Sequence, residues 1–199
     1  MCVDGPGQSG LGGQGLKYAE SFALRIDIFS AGDLRLRKEG FSLPHIWMTE
    51  QETRQFLADN TIGRLATCDG DGQPYVTAVN YVYRDNKIYF HCGTGGHRLD
   101  NIAVNPKVCF EVSREDELII SARACSSSTR YTSAVAFGVA GLVTEAEEKA
   151  AVLNLFMAKL APDAVYHPVT AQMTAGCTVV EISISKISGK RNVNADSVC

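Results

Sequence analysis

The sequence predicts a mainly β protein, a small β-barrel with a few peripheral helices. Three observations carry this. Six segments between Ile62 and Ile187 have strand character. Two turn signals, Asp69-Gly70-Asp71-Gly72 and Arg84-Asp85-Asn86, join the first three segments as successive hairpins, which is how antiparallel sheets are built. Helical periodicity is confined to three short stretches at the edges of this pattern.

Residues 1–45 are expected to form a flexible or poorly defined extension, because the stretch GQSGLGGQG is too glycine-rich to bury apolar surface. Within it, Ser21–Ser30 reads equally as a strand or a short helix, and Leu43–Pro44 breaks any element. The main domain is placed at 46–192, with a disordered tail at 193–199. Thr49-Glu50-Gln51-Glu52 is a capping box, and the helix it opens turns Phe56 and Leu57 inward and ends near Asn60. Strands follow at Ile62–Thr67, at Tyr75–Tyr83 as one long element, and at Lys87–Cys92. A short helix with Leu99, Ile102 and Ala103 on one face stops before Pro106. Lys107–Ser113 is the next strand. Leu118–Ser121 reads as a strand end and Ala124–Ser128 as a loop. Ser133–Thr144 is a strand with Gly138 and Gly141 as bulge or bend points. Thr144-Glu145-Ala146-Glu147 has the form of a second capping box, opening a helix that carries Leu153, Phe156, Met157 and Leu160 on one face and closes at Pro162. Val165–Thr174 is loop-like, and Cys177–Ile187 alternates as the last strand.

Composition excludes several classes of function. A formal net charge of -3 gives no reason to expect a nucleic-acid partner. No apolar run approaches the length of a membrane span, and no basic-then-apolar leader is visible, so no membrane association is expected. The seven cysteines are odd in number and contain no CxxC pair, which fits a reducing cytoplasm rather than a disulfide framework or a zinc site. His91, His97, Cys92 and Cys109 do not make a recognisable ligand set, so no metal is expected.

The chemistry concentrates in Lys87–Pro106, KIYFHCGTGGHRLDNIAVNP, which reads as strand, glycine loop and helix start. Gly93, Gly95 and Gly96 permit a sharp turn, and His97 and Arg98 put basic groups where the helix already carries partial positive charge. The combination suits a phosphate-sized anion. It also suits a solvated basic turn, and these residues alone leave both open. Thr77, Asn80 and Tyr81 lie on the strand beside the His91–Cys92 strand end, where polar groups either face solvent or line a groove for a planar heterocycle. Ser126–Ser133, with Thr129, Arg130 and Tyr131, is a second polar, cationic segment.

Met48–Asn192 resembles the pyridoxamine 5'-phosphate oxidase-like FMN-binding split barrels, and within them the nitroimidazole-resistance branch. The resemblance is carried by Gly63-Arg64-Leu65-Ala66-Thr67, Gly72-Gln73-Pro74-Tyr75-Val76-Thr77, Val79-Asn80-Tyr81, Ile88-Tyr89-Phe90-His91-Cys92 and Gly96-His97-Arg98-Leu99-Asp100-Asn101-Ile102. Asn105-Pro106-Lys107-Val108, Thr129-Arg130-Tyr131, Ser133, Phe137-Gly138 and Ile187-Ser188-Gly189-Lys190 extend it. It implies an FMN-dependent oxidoreductase, a homodimer with FMN at the subunit interface, acting on nitroaromatics or other small electron acceptors. Val76, Thr77, Ala78, Val79, Asn80 and Tyr81 would run along the ring system; His91 and Cys92 would sit near the ring and ribityl chain. Gly96, His97 and Arg98 would hold the phosphate, Ser133 and Arg130 would approach from the second subunit, and His91 would be the functional histidine. The alternative is a non-catalytic flavin- or haem-binding protein on the same barrel, with His91 or Cys92 as axial ligand. The oxidases that give the family its name carry two basic residues after a serine where this chain has Gly96-His97-Arg98, and a basic residue where it has Tyr81. Pyridoxamine phosphate itself is therefore not the expected substrate.

Overall fold

The computed structural model describes residues 45–192. The expected extension up to Pro44, with its Ser21–Ser30 element, and the tail beyond Asn192 lie outside the described residues. A short strand β1 (His45–Trp47) leads into α1 (Glu50–Asp59). The capping box forms as the sequence predicts: the Glu52 N–H donates to Thr49 Oγ1 at 3.2 Å, and the Thr49 N–H donates to the Glu52 carboxylate at 2.7 Å. Two hairpins follow. β2 (Ile62–Cys68) and β3 (Pro74–Asn80) are joined by a turn in which the Asp69 carboxylate accepts the Asp71 and Gln73 N–H groups, each at 2.9 Å. β4 (Val82–Arg84) and β5 (Lys87–Cys92) are joined by Asp85 and Asn86, whose φ values of 52° and 62° match the twist of the flanking strands. Then come α2 (His97–Val104), β6 (Lys107–Ile119), β7 (Ser128–Val143), α3 (Ala146–Leu160) and β8 (Thr178–Asn192).

The strands make one antiparallel sheet in the order β3-β2-β6-β7-β8-β5-β4, with β1 added to β8. This is a split barrel with its helices at the periphery. The main core lies inside the sheet, around Leu65, Tyr81, Ile88, Phe90, Phe110, Val112 and Ile182. A second apolar cluster lies between α3 and the opposite side of the sheet, built on Val82, Tyr89, Val143, Phe156 and Val179.

The structure departs from the sequence-based expectations at five places. The single strand expected at Tyr75–Tyr83 is two strands, broken at Tyr81, so that β3 pairs with β2 and β4 with β5. Tyr81 is the pivot. Its N–H donates to the Thr61 carbonyl at 3.0 Å, its hydroxyl donates to the Leu57 carbonyl at 2.6 Å, and its ring meets Phe110 edge-on at 4.9 Å. The hairpin of β6 and β7 is longer than its apolar pattern, extending to Ile119 and back from Ser128, with a bulge between Glu115 and Glu117. Across this arm Arg130 pairs with Glu117 at 2.6 Å and the Thr132 hydroxyl donates to the Asp116 carboxylate at 2.9 Å, so polar pairs rather than a hydrophobic period mark it. The second capping box does not form: Glu145 is the N-cap of α3 without a side-chain bond, and the Thr144 hydroxyl instead lies 3.4 Å from the Glu145 carboxylate. The buried face of α3 is Ala150, Val152 and Phe156, with Leu160 exposed; on α2, Asn101 and Ile102 are buried and Ala103 is not. Finally, β8 runs on to Asn192, five residues past the predicted Ile187.

Gly138 does what its position suggested. A Cβ there would meet the Ser183 carbonyl oxygen at 2.5 Å, and the pairing of β7 with β8 shifts register beside it. Gly141 faces open space and sits in regular register.

Candidate functional site

α2 begins at Gly96, whose φ of 123° suits glycine, and no side chain caps the helix. The Gly96 carbonyl accepts the N–H groups of Leu99 and Asp100, at 2.8 and 3.2 Å. Nothing lies within 4 Å of where a Cβ would stand on Gly93, Gly95 or Gly96, so the loop before the helix is open above its backbone. Two side chains tie this helix start to β3. The His97 ring packs on the Tyr75 ring at 4.5 Å, and the Arg98 guanidinium reaches Thr77 Oγ1 at 3.5 Å while lying 5.6 Å from the centre of the Phe90 ring. Among the described residues no carboxylate pairs with Arg98. A cation held in place but left unneutralised, at a helix N-terminus with open backbone around it, is suited to an anion.

Asn101 fixes the placement of this helix. It is buried, and its amide donates to Thr67 Oγ1 at 3.0 Å, tying α2 to β2. The sequence reading missed Asn101 and Tyr75. The one signal for Asn101 was a polar residue on the face that Ile102 buries.

The strand end at His91–Cys92 divides by strand alternation. Phe90 and Cys92 face the main core, whereas Tyr89 and His91 face α3, where His91 meets the Phe156 ring edge-on at 4.9 Å. Burial lowers the His91 pKa below its usual 6.5, which favours the neutral imidazole at neutral pH. Burial pushes the Cys92 thiol up, opposed by the Arg98 guanidinium, so it stays protonated at neutral pH. Cys92 therefore joins Thr77 and Arg98, and His91 stands on the other side of the sheet.

β3 alternates in the same way. Val76, Ala78 and Asn80 are exposed, while Val79 and Tyr81 are buried and Thr77 is half-buried toward α2. Register extends the exposed face across the sheet. Ala78 is opposite Arg64, Arg64 is opposite Glu111, and Glu111 shares its side of β6 with Ser113, which is opposite Ser133. The structure thus places Val76, Ala78, Asn80 and Ser133 on one open face, and Gly96, His97, Arg98, Thr77 and Cys92 at the adjoining helix start. It places the Tyr81 side chain in the core and His91 against α3. Arg130 lies on the β6–β7 arm, paired with Glu117, with its Nε buried and without a hydrogen-bond partner among the described residues.

The fold is a split barrel whose second helix opens on a glycine loop beside a guanidinium without a carboxylate partner among the described residues. A family model described as pyridoxamine 5'-phosphate oxidase matches residues 49–191. The chain belongs to that family. Its fold recurs in a candidate 5-nitroimidazole antibiotic resistance protein from Bacteroides thetaiotaomicron, at 23% identity and TM-score 0.64, covering 74% of this chain and 87% of the other. A flavocytochrome from Azotobacter vinelandii is 25% identical, with TM-score 0.64 and coverage of 74% and 70%. An FAD and heme binding protein from Mycobacterium smegmatis is 19% identical, with TM-score 0.66 and coverage of 73% and 72%. No curated protein matches the chain. Among the described residues no helix is long and apolar enough to cross a membrane.

Proposed function

We propose that the protein is a flavin-binding oxidoreductase of the nitroimidazole-resistance type, reducing nitroaromatics or other small electron acceptors. The observation that carries this is Arg98: a guanidinium without a carboxylate partner, at a glycine-led helix start, in contact with the strand that would lie along the ring system. Family membership and the likeness to a flavocytochrome support the choice of flavin as the anion's owner. Gly96, His97 and Arg98 would hold the phosphate, and Val76–Asn80 would flank the ring. When bound, the flavin would supply the two-electron redox chemistry. The chain's own residues bind and orient it and exclude water from one face. His91 stands on the far side of the sheet from Arg98, at the end of β5 and against Phe156, and would meet a substrate there. Its imidazole, kept neutral by burial, would offer a substrate one N–H donor and one nitrogen acceptor.

The site is proposed to be completed by a second copy of the chain. Register puts Val76, Ala66, Cys109 and Phe137 in one row across four strands, and Val76 and Phe137 are 59% and 47% exposed. A row of this kind is an interface in waiting, and it adjoins Ser133. Purification of the whole chain with added FMN or FAD tests the proposal. The expected result is a yellow dimer whose absorbance is that of bound flavin, with the preferred cofactor given by the tighter Kd. A colourless protein in excess of both flavins contradicts it, and a Soret band in place of flavin absorbance assigns the barrel to haem.

A further inference from the structure

Two side chains that the site above does not use, Trp47 and Lys190, run up to Ser133 at its edge. Trp47, Lys190 and Ser133 form a single registered row across β1, β8 and β7, so their side chains share the open face of the sheet. Trp47 is 64% exposed, an unusual position for the largest apolar side chain, and the His45 ring braces it edge-on at 5.3 Å. The Lys190 ammonium lies over the Tyr131 ring at 5.6 Å, and no carboxylate pairs with it among the described residues. An exposed indole beside an unneutralised ammonium in one row has the composition of a site for an aromatic anion.

We infer that Trp47 and Lys190 form the substrate subsite for a planar aromatic anion, with the indole stacking on the ring and the ammonium pairing with its carboxylate. This rests on the proposed flavin site, because Ser133 lies in the same row and is expected beside the flavin. The subsite sets a preference: acidic aromatic acceptors bind ahead of neutral ones of the same size.

Trp47 is the only tryptophan in the chain, so its fluorescence reads this patch directly. The whole chain is titrated with 4-nitrobenzoate and with neutral nitrobenzene, both with and without flavin. Saturable quenching by 4-nitrobenzoate is expected, with its Kd raised about tenfold by Lys190→Gln, restored by Lys190→Arg, and that of nitrobenzene changed less than about twofold. Quenching that never saturates, or an equal response of both probes to Lys190→Gln, overturns the inference. If Lys190→Gln misfolds, the wild-type preference for 4-nitrobenzoate over nitrobenzene and the Lys190→Arg result decide the matter. Absence of flavin absorbance defeats the flavin reading alone, since the fluorescence series is read without cofactor as well. A flat series in a yellow protein defeats only the subsite.

Discussion

Replacing Arg98 with alanine is expected to weaken flavin binding about 10- to 150-fold. A hydrogen bond to a charged group contributes about 1.5–3 kcal/mol, and each 1.4 kcal/mol is a factor of ten in Kd. The loss is expected at this residue because its guanidinium has no carboxylate partner among the described residues and only two weak protein contacts, Thr77 at 3.5 Å and the Phe90 ring at 5.6 Å, so little native structure depends on it. Thermal stability without cofactor should move by less than about 1 kcal/mol, which separates a binding defect from a folding one. Arg98→Lys keeps the charge but loses the planar fork, and should fall between the two. Titration of apo-protein with FMN and FAD, followed by flavin fluorescence, measures all three. Unchanged affinity in Arg98→Ala would place the phosphate elsewhere.

The largest effect on stability is expected at Phe110. Its side chain is fully buried, meets Tyr81 edge-on at 4.9 Å, and fills the space that Gly63 leaves open: a Cβ on Gly63 would lie 2.2 Å from the Phe110 ring. Phe110→Ala is expected to cost about 3–5 kcal/mol, seen as a fall in Tm of roughly 6–20 °C at 2–4 °C per kcal/mol. The pairing gives a sharper test. Gly63→Ala alone should be strongly destabilising, because the ring has no free space to enter. Added to Phe110→Ala it should cost little, since the clashing atoms are gone and the Glu111 carbonyl, at 3.1 Å, is the remaining close neighbour. Denaturant titration of the two single variants and the double variant closes the cycle, and additive losses would contradict the packing described.

What could be read from the sequence was what is local. The Thr49 capping box and the turns at Asp69 and Asp85 are set by a few adjacent residues and appear where expected. The long-range features were not readable. The break at Tyr81 comes from a hydroxyl that finds the Leu57 carbonyl 24 residues away, and β-rich composition continues unchanged on either side of it. The β6–β7 arm runs through Arg114-Glu115-Asp116-Glu117 before Leu118 and Ile119, so no hydrophobic period marks it. At Thr144 the capping pattern was present, but the helix starts one residue later than the pattern requires. In the candidate site, the glycine loop and Arg98 stood out because helix-start chemistry is a sequence-local property. The resemblance puts His91 and Cys92 together near the ring and ribityl chain, whereas neighbours in a strand point to opposite faces. Trp47 and Lys190 are 143 residues apart, and only the pairing of β1 with β8 makes them one feature.

The central claim is that the start of α2 and Arg98 hold the phosphate of a flavin. A crystal structure of the protein grown with its preferred flavin tests it most directly. The account predicts a phosphate oxygen within hydrogen-bond distance of the Arg98 guanidinium and of a backbone N–H in the first turn of α2. A flavin bound with its phosphate on any other part of the barrel would contradict it.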